Sequence, residues 1–158
     1  MEKRVGNLLS EFEVGDLNVI IHGCNCMCNM GAGIAKDIAQ RYPEAEKADK
    51  ATRVGDTRKL GSFTSVNVEF GMVVNAYTQY DYKGSGMKCD YRAIRNVFAG
   101  LKRLLGGKGL VFGVPAIGCG RAGGDWNRVS AIIDEEMAGE RVVFVEYPQG
   151  KDSKWELS

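Results

Sequence analysis

Compact apolar runs recur along the chain and predict its strands. Runs rich in β-branched residues are typical of buried strands, and strict alternation is typical of a half-exposed one. Buried strands are predicted over residues 18–22, 72–77, 110–114 and 142–147, and a half-exposed strand over residues 62–66. Residues 4–9 predict a short strand or turn that leads into a polar stretch.

Apolar residues at helical spacing predict helices between these strands. Ile34 and Ile38 belong to a helix that ends before Pro43, which itself opens a short charged helix. Asp90 is placed to cap the clearest helix, and Asp125 precedes the last one. The buried stripe of the clearest helix contains Tyr91, Ile94, Phe98, Leu101 and Leu105. That of the last helix contains Trp126, Val129, Ile133 and Met137.

The order of elements predicts an α/β fold. Strands alternate with helices, which favours a mostly parallel central sheet with helices on both faces. No repeat or linker divides the chain, so we expect one domain over residues 1–150 and a polar tail over residues 151–158. In such sheets ligands bind at the carboxyl ends of the strands.

Two glycine-rich turns lie at those strand ends. The first glycine turn, residues 25–35, contains Gly31 and Gly33 and runs into a helix; the second, residues 118–124, does the same far downstream. Glycine lets backbone N–H groups approach a ligand, and a helix N-terminus attracts anions. Two such turns predict a ligand with two phosphates.

The second turn also matches the G-x-G-x-x-G pattern of dinucleotide-binding proteins, through Gly118, Gly120 and Gly123. The pattern comes late, and we expect no further domain for a hydride-transfer substrate. A nicotinamide-dependent oxidoreductase is therefore the weaker interpretation.

Composition bears on the class of partner, the location of the protein and the state of its cysteines. Across 158 residues the formal net charge is +1, which gives no strong signal for nucleic acid or for an anionic membrane. The first residues do not resemble a signal peptide and no run is long enough to span a membrane, so we expect a cytoplasmic protein, in the host cytoplasm if the chain is phage-encoded. The five cysteines, three of them alternating at 24, 26 and 28, are expected to be reduced thiols.

Several polar residues fall at the predicted ligand edge. His22, the only histidine, ends a buried strand and is either a structural side chain or a general base. Asn25 and Asn29 lie in the first glycine turn, where amides typically cap the backbone. Asp125 is either a helix cap or a catalytic group, and Asn75 either a satisfied polar group or a substrate contact.

Five segments together resemble the macrodomain family: residues 19–25, 30–35, 42–45, 115–120 and 123–126. Within it the chain is most similar to the small stand-alone macrodomains of phages and to the yeast ADP-ribose 1''-phosphate phosphatase. The resemblance implies a three-layer α/β/α fold with a mixed, mostly parallel central sheet and a cleft for ADP-ribose at the strand ends.

The resemblance also implies site residues. Asn25 corresponds to an asparagine that contacts the distal ribose, Tyr147 to an aromatic position near adenine, and Asn7 to an aspartate that accepts a hydrogen bond from the adenine amino group. Asn75 is a further expected contact. The two turns are expected to surround the phosphates through Gly31, Ala32, Gly33, Ile34, Ala35, Gly118, Cys119, Gly120, Arg121, Ala122 and Gly123.

Catalytic positions of two hydrolase types are not matched. Ala35 stands where one type has an aspartate, and Gln79 and Ala122 stand where the other has a lysine and an aspartate. The resemblance therefore favours hydrolysis of ADP-ribose 1''-phosphate, with His22 or Asp125 as general base and Asn25 orienting the ribose. The alternatives are a non-catalytic reader of ADP-ribose and an ester hydrolase acting on ADP-ribosylated protein. No metal or cofactor is expected.

Overall fold

A six-stranded mixed sheet forms the centre of the protein in the computed structural model, which describes residues 1–84, 86–120 and 122–148. The strands are β1 (Glu2–Val5), β2 (Val19–Cys24), β3 (Phe63–Val68), β4 (Gly71–Tyr77), β5 (Val111–Val114) and β6 (Arg141–Glu146). Their spatial order is β1-β6-β5-β2-β4-β3, and only the edge strand β3 runs antiparallel to its neighbour. The predicted mostly parallel α/β sheet is confirmed.

Helices cover both faces of this sheet. They are α1 (Leu8–Glu13), α2 (Gly33–Arg41), α3 (Pro43–Lys50), α4 (Tyr91–Leu105) and α5 (Trp126–Glu136), with one 3₁₀ turn at Thr57–Lys59. One buried cluster joins the sheet to α4 and α5, and a second joins it to α1, α2 and α3. We call these two faces the α4–α5 side and the α1–α3 side.

Alternation along β2 decides which way each side chain points. Val19 and Ile21 belong to the cluster on the α4–α5 side, and Ile20 belongs to the cluster on the α1–α3 side. His22 follows Ile20 by two residues, so its side chain faces the α1–α3 side. Gly23 has no side chain, but its position in the alternation faces the α4–α5 side.

The N-terminal prediction needs correction at α1. Residues 8–13 form a helix in place of a continuing strand or turn, because Leu8, Leu9 and Phe12 all bury against the sheet. Asn7 caps this helix: its Oδ1 accepts a hydrogen bond from the Ser10 N–H at 3.0 Å.

The other predicted helix boundaries are confirmed. Pro43 opens α3, and the carboxylates of Asp90 and Asp125 accept hydrogen bonds from the first-turn amides of α4 and α5. None of the helices in the described part of the chain combines the length and the apolar character that a membrane span requires. The predicted tail at residues 151–158 lies outside the described residues.

Candidate functional site

The carboxyl ends of the five parallel strands share one edge of the sheet, and strand order arranges the predicted contacts along it. Asn7 and Tyr147 follow β1 and β6, which the Gly6 N–H to Glu146 carbonyl bond joins at 2.8 Å. The second glycine turn follows β5, the first follows β2, and residues 78–90 follow β4. Because β5 and β2 are neighbours, the two glycine turns lie side by side.

Asparagine side chains hold the first glycine turn in shape. Asn25 Nδ2 donates to the Asn29 carbonyl at 2.8 Å, and Asn25 Oδ1 accepts from the Met27 N–H at 2.9 Å. Asn29 Oδ1 in turn accepts from the Gly31 N–H at 2.9 Å. Between them, Cys28 adopts φ 55°, a left-handed conformation rare for a non-glycine residue. The amides of Asn25 and Asn29 thus cap the turn backbone, as expected for a turn.

The first glycine turn ends in the N-terminus of α2. Gly33 has φ 59°. Ala32 occupies the N-cap position, and its side chain has no group that could cap the helix. The first turn of α2 contains no acidic residue. Ile34 is fully buried, so its burial gives no support to the contact predicted for it.

Backbone bonds and close packing shape the second glycine turn. The Gly124 N–H donates to the Gly118 carbonyl at 2.7 Å, and the Gly123 N–H donates to the Gly120 carbonyl at 3.1 Å. A Cβ on Gly124 would lie 2.6 Å from Cys89 Sγ and 2.7 Å from the Gly118 carbonyl oxygen. Arg121, predicted to help neutralise phosphate, lies outside the described residues.

The segment after β4 supports this turn from behind. The Lys88 and Cys89 N–H groups both donate to the Ala122 carbonyl, at 2.7 and 3.1 Å. Gln79 pairs with Cys89 across the base of the segment. Ala122 is buried by these contacts, so its side chain supports the turn from the protein side.

His22 lies beneath the site and not in it. Its side chain is fully buried, and its Nε2 lies 2.7 Å from Asn75 Oδ1. Because an amide oxygen only accepts, Nε2 carries the proton. Burial lowers the pKa of His22 to about 4, although the hydrogen bond to Asn75 acts in the opposite direction. The imidazole is therefore neutral at pH 7 and has no open path to a water molecule in the cleft.

Asn75 is buried in the same way. Its Nδ2 donates to the Ala45 carbonyl at 2.9 Å and to Thr64 Oγ1 at 3.1 Å, while its Oδ1 accepts from His22. Both ends of the amide are thus occupied within the protein. The predicted substrate contact through this side chain gains no support from the geometry.

Sequence reasoning missed the charged members of this buried network. Asp49 Oδ1 accepts from the Tyr77 hydroxyl at 2.8 Å, and Lys59 Nζ donates to Thr52 Oγ1 at 2.8 Å and to Cys28 Sγ at 3.5 Å. Burial raises the pKa of Asp49 above its usual range. One signal was present in the sequence: Asp49 lies four residues after Ala45, on the stripe of α3 that faces the sheet.

Asp125 is the exposed member of the predicted catalytic set. Its Oδ1 accepts from the Asn127 N–H at 2.9 Å, and its own N–H donates to the Tyr91 hydroxyl at 3.0 Å. The cap role is confirmed, and the carboxylate remains open to solvent beside the second glycine turn. His22 and Asn25 are both buried, so the structure does not bring the three side chains together at one open surface.

One relative is similar in sequence to nearly the whole chain. An uncharacterised 17.5 kDa protein from the tk-vs intergenic region of phage T4 is 30% identical over 149 residues, 90% of this chain and 93% of the phage protein. No family model matches the sequence.

Solved structures share the fold. The macrodomain of Mycobacterium tuberculosis DarG superposes with a TM-score of 0.72, at 24% identity, over 94% of this chain and 97% of its own. The structure of a macrodomain protein from Streptomyces coelicolor superposes with a TM-score of 0.66, at 26% identity, over 85% of this chain and 89% of its own. Together with the strand order and the paired turns, this second likeness decides the family. The chain is a macrodomain.

Two other neighbours of this macrodomain hold nucleotides. Thermosipho africanus DarTG in complex with ADP-ribose has a TM-score of 0.72 at 16% identity, over 96% of this chain and 43% of its own. The Oceanobacillus iheyensis macrodomain with ADP has a TM-score of 0.67 at 18% identity, over 98% of this chain and 86% of its own. The phage relative also agrees with the predicted resemblance to phage proteins.

Proposed function

We propose that this macrodomain binds ADP-ribose along the carboxyl edge of its sheet. The observation that carries the proposal is the pair of glycine turns at the ends of the neighbouring strands β2 and β5. Backbone amides and a helix N-terminus converge there, and such groups bind diphosphates. The ADP-ribose and ADP of the two neighbours support the same ligand class.

Strand order supports one orientation of ADP-ribose along the carboxyl edge of the sheet. Adenine is proposed to lie beside Asn7 and Tyr147, at the ends of β1 and β6, and the distal ribose beside Asn25. Asn7 Oδ1 already accepts from Ser10, so a bond from the adenine amino group would use its second lone pair. This makes adenine selectivity weaker here than a free carboxylate would give.

The finer activity we propose is hydrolysis of ADP-ribose 1''-phosphate to ADP-ribose and inorganic phosphate. Water attacks the phosphorus in line with the ribose oxygen, the phosphorus–oxygen bond to the ribose breaks, and the ribose oxygen takes up a proton. Asp125 is the proposed base for the attacking water, because it is the exposed carboxylate beside the second glycine turn. Backbone N–H groups of both turns stabilise the phosphate charge.

Phosphate release from ADP-ribose 1''-phosphate tests this activity. Asp125→Asn keeps an N-cap side chain, so we expect unchanged stability and ADP-ribose affinity but at least about 100-fold slower release. Asp90→Asn is the control, since Asp90 also caps a helix, by accepting from the Ala93 N–H at 2.9 Å, and release should persist. Release that survives Asp125→Asn but disappears in His22→Gln would overturn the assignment in favour of the buried imidazole.

A non-catalytic reader is the second candidate. The observation in its favour is that His22 is buried and both ends of the Asn25 amide are occupied by the turn, which leaves few side chains for chemistry. ADP-ribose binding without any phosphate release would establish the reader. Ester hydrolysis on ADP-ribosylated protein and a location in the host cytoplasm stay predictions.

A further inference from the structure

A buried lysine contacts a cysteine of the first glycine turn. Lys59 is only 8% exposed, and its Nζ lies 3.5 Å from Cys28 Sγ. The same ammonium group donates to Thr52 Oγ1 at 2.8 Å, and the centroid of the Tyr77 ring lies 5.2 Å from it. Among the residues that the structure describes, no carboxylate forms an ion pair with Lys59, and Asp49 acts on it only from a longer distance. A buried cation without a paired anion is costly, so its contacts call for an explanation.

The ammonium group of Lys59 has more donors than acceptors. It carries three N–H groups. The Thr52 hydroxyl and the Cys28 sulfur take two of them, and the third has no hydrogen-bond acceptor within the described part of the chain. Sulfur is a weak acceptor, so an oxygen atom bonded to Cys28 Sγ would be a stronger partner for Lys59 than the sulfur itself.

The other neighbours of the sulfur suit an oxidised form as well. Cys28 Sγ lies 3.3 Å from the Asp49 carbonyl oxygen and 3.6 Å from that of Thr52. Carbonyl oxygens only accept, so they can accept from an S–O–H group while Lys59 donates to its oxygen. Cys28 is also partly exposed, which a small oxidant requires, whereas Cys24 beneath the same turn is buried.

We propose that Cys28 is a site of reversible oxidation to a sulfenic acid by hydrogen peroxide, and that Lys59 stabilises the oxidised form. The sulfur attacks one peroxide oxygen, so an S–O bond forms and the O–O bond breaks. Sulfur loses two electrons, and the peroxide is reduced to water, which also carries away the thiol proton. The ammonium group of Lys59 attracts the negative charge that develops on the sulfur during the attack.

Oxidation should regulate the ligand site, and this effect rests on the proposed function. Cys28 adopts φ 55° between the two ends of the bond from Asn25 Nδ2 to the Asn29 carbonyl. Its sulfur is already at hydrogen-bond distance from Thr52 and from the Asp49 carbonyl at the end of α3. An added oxygen atom moves the sulfur away from these groups, and the turn backbone moves with it. We therefore expect the oxidised protein to bind ADP-ribose more weakly.

Trapping with dimedone, read by peptide mass spectrometry, tests the chemistry without any ligand. In the folded protein treated with hydrogen peroxide, Cys28 should be trapped at least about tenfold faster than Cys119, the other partly exposed thiol. In urea the two rates should become equal. Lys59→Met should slow the trapping of Cys28 about tenfold. Lys102→Met is the matched control, because the ammonium group of Lys102 is paired elsewhere, and it should leave the rate unchanged.

Calorimetric titration with ADP-ribose, before and after peroxide, tests the regulation. We expect the affinity of the unsubstituted protein to fall about tenfold on oxidation and to return with dithiothreitol. In Cys28→Ser the affinities before and after peroxide should be equal to each other. This variant keeps every methionine, so it controls for oxidation elsewhere in the chain.

Each outcome decides something. Equal trapping of Cys28 and Cys119 in the folded protein overturns the oxidation site, and this comparison needs no variant to fold. An unchanged rate in folded Lys59→Met overturns the role of the lysine, and selective trapping with unchanged affinity overturns the regulation. If the protein binds no ADP-ribose before oxidation, the proposed function fails, while the trapping result still decides the chemistry of Cys28.

Discussion

The two glycine turns lie side by side at the same sheet edge but are built by opposite means. Side chains hold the first: the amides of Asn25 and Asn29 bond its backbone from within. The second is held by backbone bonds and by glycines so tightly packed that added atoms collide with Cys89 or with the turn itself. We therefore expect the first glycine turn to be destabilised when its side chains are truncated. The second should be destabilised when atoms are added to its glycines.

Adding a methyl group to the second turn should have the largest effect. The new Cβ in Gly124→Ala would approach the Gly118 carbonyl oxygen to 2.7 Å, and backbone cannot move aside as a flexible side chain can. We expect a loss of about 3 kcal/mol in the free energy of unfolding, measured in urea.

Gly31→Ala is the matched addition in the first turn. There the Cβ would meet Asn29 Oδ1, the end of a flexible side chain, at 2.7 Å. The expected cost is below about 1 kcal/mol. Equal losses in the two alanine variants would contradict the comparison.

The buried histidine beneath the first turn should give the next largest effect, through pH. The pKa of His22 is about 4 in the folded protein and near 6.5 when unfolded, so the unfolded state binds more protons between these values. Stability is full above pH 6.5 and falls with pH toward 4. From pH 7 to pH 5 the loss due to His22 is about 2 kcal/mol.

His22→Gln isolates this contribution, because His22 is the only histidine of the chain. Glutamine retains an N–H donor for Asn75 but does not titrate. Urea unfolding at pH 7, 6 and 5 should show a shallower decline in the variant, since only the carboxylates still titrate. Parallel declines in the two proteins would show that folding does not shift the pKa of the imidazole.

Removing the Asn25 side chain from the first turn should reduce stability less than the Gly124→Ala substitution or the protonation of His22. Asn25→Ala deletes two hydrogen bonds and should cost about 1–2 kcal/mol. Cys119→Ala is the matched deletion in the second turn, where only one weak bond to the Ile117 carbonyl is lost. Its cost should be smaller, and a larger cost than that of Asn25→Ala would reverse the comparison.

Local signals in the sequence were sufficient for much of the fold. Pro43, Asp90 and Asp125 mark helix starts by their own chemistry, and apolar runs mark the buried strands. The six-residue helix α1 was missed because fewer than two turns give too short a periodic pattern, and its burial comes from packing against the sheet.

The candidate site was less predictable for a different reason. Alternation shows that His22 and Gly23 face opposite sides of β2, but which side faces the cleft depends on the rest of the sheet. The contact between Lys59 and Cys28 and the burial of Asn75 likewise depend on partners distant in sequence. Residue type suggested polar chemistry at this edge, and only tertiary contacts distinguish structural from ligand-facing groups.

All five cysteine thiols are free, and they are distributed between the two turns. Burial raises the pKa of Cys24 and Cys26, beneath the first turn, and that of Cys89, beside the second; it raises the pKa of Cys119 to about 12. Because only thiolates react quickly, alkylation of the buried Cys24, Cys26 and Cys89 at neutral pH should require local opening. The labelling rate of each buried cysteine therefore measures how often the structure around its glycine turn opens locally, without any engineered probe.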